Sequence, residues 1–120
     1  MENPTTNSLQ AVRLAKERAV SPTDWPQIIH LDEEDRPLPK NQGGGAAFIV
    51  VHRRAGDPTP TDEDIRTAQA SADVASRLDR RLVDYIIIGT EAFYSFADER
   101  ATSFRETKIA GRIVPMYRRK

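Results

Sequence analysis

A chain of 120 residues with 18 Lys+Arg, 18 Asp+Glu and no Cys suits one domain with a core large enough to need no covalent staple. Without Cys there can be no disulfide, no thiolate metal site and no cysteine nucleophile. A formal net charge of zero gives no global pull toward nucleic acid or an anionic membrane. The opening MENPTTNSLQ lacks the basic start and apolar core of a signal peptide. No apolar run nears the roughly 20 residues that a spanning helix needs. The expectation is a single domain over 1–120, soluble and cytoplasmic, with no membrane partner.

Residues 1–7 are polar and expected to be disordered. From Ser8 to Val20, Leu9, Val12, Leu14, Ala15 and Ala19 fall near helical spacing and predict a short amphipathic helix. SPTDWP ends it, because each Pro disfavours helix in the residue before it. QIIHLD reads as a short strand, EEDRPLP as a charged turn and KNQGGG as a flexible connector. AAFIVVH, residues 46–52, is a continuous apolar run of strand length and predicts a central strand buried on both faces.

RRAGDPTP follows as a loop. Thr61 can cap the next helix, with Asp62, Glu63 and Asp64 in its first turn. That helix is expected to reach about Arg80, with Ile65, Ala68, Ala72 and Ala75 on one stripe and Val74 and Leu78 beside it. LVDYIIIG (82–89) predicts a second buried strand, and FYSFAD (93–98) a partner for it in a hairpin. Gly111 and Pro115 argue against a long C-terminal helix and leave a short strand or an irregular basic tail. The order points to a small sandwich of α/β or α+β type, a central β-sheet flanked by two helices.

The blocks AAFIVVH, GDPTPTDED, LVDYIIIG and FYSFAD occur in that order. Together they resemble the RadC-like branch of the JAB/MPN metalloprotease-like family. That branch has a buried strand ending in a His-Asn-His-Pro-Ser-Gly loop, a DPTPS turn and an Asp that opens a helix. An LDHIIIG strand and a YxSF strand follow. The resemblance runs over residues 45–98, and PQIIHLDEEDRPL extends it weakly toward the N-terminus. It implies a zinc-dependent metallopeptidase or isopeptidase-like hydrolase, in which a metal-bound water attacks a carbonyl and a carboxylate moves the proton.

The metal motif departs from that pattern. The loop reads HRRAG, one residue shorter than the family's. If His52 matches the first ligand, Arg53 or Arg54 stands at the second. If Gly56 anchors the comparison, Val51 and Arg53 take the two positions. Either way a permanently protonated guanidinium, which cannot ligate zinc, replaces an imidazole. Asp64 remains at the carboxylate position and Thr61 keeps the neighbouring hydroxyl. The family's late-strand His is Tyr85, and Glu17, Glu33 and Glu34 sit in no matching context for a general base. The segment that the family carries before the buried strand is replaced by PLPKNQGGG.

Each candidate residue has two readings. His52 and Asp64 are either vestigial zinc ligands or a strand-end His and a helix-capping carboxylate. Two donors are too few for a catalytic zinc, which takes three protein ligands. No cofactor is expected, or zinc if the degenerate site still holds metal. Arg53 and Arg54 form either an anion-binding pair or ion-pair partners of Asp57 or Asp64. His30 is the one spare imidazole. The functional expectation is a non-catalytic domain that binds an unidentified protein partner. The alternatives are the zinc hydrolase and a DNA-associated accessory protein acting through RLDRR (77–81) and the final YRRK. A sheet edge exposed by the missing segment would invite a homodimer.

Overall fold

The structure, a computed structural model, describes residues 7–40 and 42–105. Asn7, expected in a disordered terminus, instead caps helix α1 (Ser8–Arg18) by accepting a hydrogen bond from the Gln10 amide. The rest of that stretch, and the tail from residue 106, lie outside the described residues. A short 3-10 turn (Pro22–Asp24) leads to strand β1 (Gln27–Leu31), followed by β2 (Ala47–Arg53), helix α2 (Asp62–Arg77), β3 (Arg81–Ile88), β4 (Ala92–Ser95) and β5 (Arg100–Ser103). Strand β5 has no counterpart among the expected elements.

The strands form one sheet in chain order, β1-β2-β3-β4-β5. All neighbours are antiparallel except β2 and β3, which run parallel and are joined by α2. A parallel neighbour needs a crossover, and a helix supplies it while covering one face of the sheet. Alternation along β2 sends Ala47, Ile49 and Val51 to the α1 face, where they meet Ala11, Val12 and Ala15 of α1 with Ile29, Leu31, Ile86, Ile88 and Phe93. Phe48 and Val50 face the other way and pack with Tyr85, Ile87, Ala68 and Ala75 beneath α2. The fold is therefore α+β with a central sheet between two helices, as the sequence implies.

Helix α2 departs from its predicted stripe. Only Ala68 and Ala75 are buried, while Ile65, Val74 and Leu78 are 40, 50 and 59% exposed. The helix rests on a narrow strip of Ala against β3, so the larger residues flanking that strip stay in solvent. It also stops at Arg77 rather than near Arg80, because Asp79 takes a left-handed conformation (φ 54°) that turns the chain into β3. The glycine connector is more constrained than its composition suggests. Gly45 has φ +87°, and a Cβ there would fall 2.4 Å from the Leu31 carbonyl oxygen.

A bulge marks the β2–β3 ladder. Phe48 pairs with Leu82 and Ile49 with Asp84, leaving Val83 as the extra residue. The buried Asp84 carboxylate accepts hydrogen bonds from the Ser95 hydroxyl (2.6 Å), the Ala97 amide (3.0 Å) and its neighbour Tyr85's amide (2.7 Å). Ser95 Oγ in turn accepts the Asp98 amide, and Asp98 Oδ2 accepts the hydroxyl of Ser8, fully buried at the start of α1. This chain of polar groups ties α1, β3 and β4 through the interior, where an unmatched carboxylate would be costly. Ser95→Ala removes one donor from a buried carboxylate and is expected to cost about 1–3 kcal/mol. Urea denaturation measures it, and an unchanged midpoint would show that the network contributes nothing.

Candidate functional site

The C-terminal ends of β2 and β3 lie side by side, so the loops that leave them meet at one end of the sheet. Arg54 continues the pairing past β2, its amide donating to Ile88 O. Gly56 O then accepts the Thr90 amide, and Gly56 N–H donates to Thr90 Oγ1. Gly89 is required here, because a Cβ would meet Gly56 O at 2.4 Å and Pro58 Cδ at 2.8 Å. Asp57 holds the Pro-rich loop by accepting both the amide and the hydroxyl of Thr59, at 2.9 and 2.7 Å. The loop thus delivers Thr61 to the start of α2 along a fixed path.

At that start the capping box forms as its residue pattern predicts. Thr61 Oγ1 accepts the Asp64 amide (3.2 Å), and Asp64 Oδ2 accepts the Thr61 amide (2.7 Å). The same Oδ2 accepts a hydrogen bond from Arg54 Nη2 at 2.5 Å. The pair is well covered, with side chains 25% and 13% exposed for Arg54 and Asp64. Burial opposes ionisation of Asp64, but the hydrogen bonds from Arg54 and Thr61 outweigh it and hold the carboxyl below its ordinary value.

The alternation of β2 places the half-buried His52 on the α2 side, with Phe48 and Val50, and exposed Arg53 on the α1 side. Of the two arginines it is therefore Arg54, two residues beyond His52, that reaches Asp64. Asp57, the other carboxylate considered as a partner, is bonded to Thr59 instead.

Tyr85 completes this corner and was not singled out as a site residue. It is buried, stacks edge-on against Phe96 with ring centroids 5.5 Å apart, and feels both Asp64 and Arg54. Burial raises its phenol above the ordinary value, the Asp64 charge adds to that, and Arg54 partly offsets it. Its neighbour in the sequence, Asp84, is turned into the interior network described above. The signal available was Tyr85's place in LVDYIIIG, where the resembling family carries a His.

His30 does not join this corner. It pairs with Phe48, four residues before His52 on β2, a separation of about 13 Å along a strand. Its Nδ1 lies 2.7 Å from Arg80 Nη2, and burial followed by the Arg80 charge lowers its affinity for a proton. Arg80 also stacks on Phe48 and donates to the carbonyls of Gly44 and Gly45. His30 thus belongs to a packing cluster at the opposite end of β2.

The donor set does not fit a catalytic zinc, which takes three protein ligands. His52 and Asp64 are two donors, the third nearby group is a guanidinium, and Asp64 Oδ2 is already bonded twice. Among the described residues no group of three or more His, Asp or Glu is placed to hold a metal ion. No helix among them is long and apolar enough to cross a membrane.

The model of the RadC-like JAB domain family matches residues 41–101, just over half of the chain. The UPF0758 protein of Syntrophotalea carbinolica is 32% identical over 71 residues, 59% of this chain and 31% of that protein. The UPF0758 protein of Geotalea uraniireducens is 43% identical over 54 residues, 44% of this chain and 24% of its own length. That of Bacillus licheniformis is 40% identical over 73 residues, 60% of this chain and 32% of its own. The chain thus spans a quarter to a third of the length of these relatives. No solved structure matches it.

The Arg54–Asp64 pair has a pH signature. The folded carboxyl titrates below the ordinary aspartate value of about 3.9. The stability it contributes is therefore complete above that value and is lost as the pH falls through the folded one. Arg54→Ala is expected to cost about 1–2 kcal/mol near neutral pH, between the values for exposed and for buried pairs. The difference from wild type should shrink at a pH acid enough to protonate Asp64 in both proteins. Denaturation curves at the two pH values measure this, and an equal difference at both would sever the effect from Asp64.

Proposed function

This chain belongs to the RadC-like JAB domain family, and we propose that it is a non-catalytic member of it: a binding or protein-interaction module in which Arg54, rather than a metal ion, balances Asp64. The observation that carries this reading is the 2.5 Å bond from Arg54 Nη2 to Asp64 Oδ2. In the family the corresponding carboxylate serves a zinc ion together with two imidazoles. Here the residue two positions after His52 is a cation that already satisfies the carboxylate. A guanidinium can neither offer a lone pair to a metal nor release a proton at neutral pH, so it offers no route to an activated water. The role left to the corner is to hold the loop and the start of α2 together.

The interaction role is supported by α2. Val74 and Leu78, four residues apart and so neighbours on one flank of the buried strip, leave apolar side chains in solvent, and adjacent exposed apolar groups are what a contact site offers. The partner is unidentified.

The hydrolase that the family implies makes an opposite forecast, which a metal titration separates from this one. Chelator-treated wild-type protein is expected to show no tight one-to-one zinc binding by calorimetry. Arg54→His restores a second imidazole two residues from His52 and beside Asp64, so that variant is expected to gain zinc affinity and to lose it again with His52→Ala. Tight stoichiometric binding to the wild type, abolished by His52→Ala, would defeat the non-catalytic reading.

A further inference from the structure

The α1 side of the same sheet end holds a second feature. An open cleft of about 810 Å³ lies between the C-terminal end of α1, the 3-10 turn and the ends of β2 and β3. Its walls include Lys16, Ser21, Trp25, Arg53, Gly89 and Thr90. The cleft lies outside the carboxyl ends of the two parallel strands, on the face covered by α1. The volume falls within the range of small-molecule sites.

The charges of the cleft are one-sided. Lys16, Arg53 and Arg54 line it, and among the described residues no Asp or Glu does. Arg54 is neutralised by Asp64. Arg53 has no carboxylate within ion-pair distance among the described residues. Lys16 sits over the ring of Phe104, 3.9 Å from its centroid. Burial, and then the charge of Arg53, makes Lys16 a weaker base than an ordinary lysine, as expected of two cations facing one space. Asp24, next to Trp25 in the sequence, is occupied by the amides of Val20 and Ser21, at 2.6 and 3.0 Å. Two cations that share a cleft, with no counter-charge there among the described residues, are stabilised by an anion that bridges them.

The remaining groups narrow the class of anion. Thr90 Oγ1 accepts the Gly56 amide, which leaves its hydroxyl proton free to donate. Trp25 is half-buried, packed against the core on the α1 side, and lines the cleft. A partly exposed indole in the same wall as a pair of cations suits a flat ring carrying a negative group. We propose that this cleft binds a small phosphomonoester that bears a planar ring, a ligand of mononucleotide size, with its phosphate between Lys16 and Arg53 and its ring against Trp25. This site does not rest on the reading above: it uses neither His52 nor Asp64, and Arg54, which lines its edge, is already bonded to Asp64.

Trp25 is the only tryptophan of the chain, so its emission reports on the cleft directly. The probes are inorganic phosphate, adenosine and adenosine monophosphate, followed by Trp25 emission and by amide chemical shifts. Adenosine monophosphate is expected to bind saturably, at least about tenfold more tightly than either of the other two. Arg53→Gln and Lys16→Gln are each expected to weaken it by about tenfold or more, the usual effect of losing one charge-assisted hydrogen bond. Arg13→Gln, exposed on α1 outside the cleft, should leave it unchanged. Both cleft residues are exposed, so circular dichroism should show all the variants folded. The proposal is overturned by absence of saturable binding at millimolar concentrations, by equal affinity for adenosine, or by binding that neither cleft variant weakens. It is also overturned if a short single-stranded oligonucleotide occupies the cleft while the mononucleotide does not. Zinc titration of the same samples is unaffected by any of these results, so the two readings fail separately.

Discussion

The parallel ladder between Ala47–Arg53 and Arg81–Ile88 is the constraint from which the rest of the molecule follows. Its strands are covered on both faces, so their sequences are almost continuously apolar. Because they run in the same direction, the chain must cross over between them, and α2 does so on one face while α1 seals the other. Because they run in register, their ends coincide, and the loops after Arg53 and after Ile88 have to share one small space. Gly89, the Gly56–Thr90 contacts and the Asp57–Thr59 turn are the local solutions to that crowding. Every residue with chemical potential at this end of the sheet is positioned by it.

Alternation then divides the end of β2 between two environments. The guanidinium of Arg54 belongs with Asp64 and Tyr85 at the start of α2, His52 shares that face of β2, and Arg53 belongs with Lys16 beyond the end of α1. Two arginines adjacent in sequence therefore have different electrostatic fates. One is matched by a carboxylate and partly buried. The other shares a cleft with a second cation. A dipeptide that reads as one basic pair works as two separate groups, because successive side chains on a strand point to opposite faces.

What the sequence reveals follows the range of the interactions. β2, β3 and the capping box are legible because a continuous apolar run and a Thr-x-x-Asp step are local signals. The α+β class and the family resemblance follow from the same blocks. Strand β5 is not legible, because Arg100–Ser103 has little apolar content. It forms because β4 offers an open edge and because Thr102, buried, pairs with Phe93. The flank of α2 misleads for a related reason: periodicity shows which residues share a stripe, but the width of the sheet beneath decides how much of the stripe is covered. The Asp84–Ser95 bond and the approach of Tyr85 to Asp64 join residues 11 and 21 positions apart, and only the folded register brings them together. The choice between Arg53 and Arg54 as the residue facing Asp64 stays open in the sequence because the loop is one residue short. Reach across the loop end settles it in favour of Arg54.

The convergence on Asp64 Oδ2 explains why an arginine suits this position. That oxygen closes the capping box by accepting the Thr61 amide, and it also accepts Arg54. A carboxylate 13% exposed at the rim of a covered strand is costly to ionise unless a cation lies beside it. Protonating it would weaken the cap that starts α2, the helix whose crossover makes the parallel ladder possible. A metal ion can supply the balancing charge only while it is bound, and then only with enough donors. A guanidinium supplies it at every physiological pH and from the same polypeptide. The arginine therefore secures the start of α2 by supplying, from within the chain, the charge that Asp64 needs in order to stay ionised and close the cap.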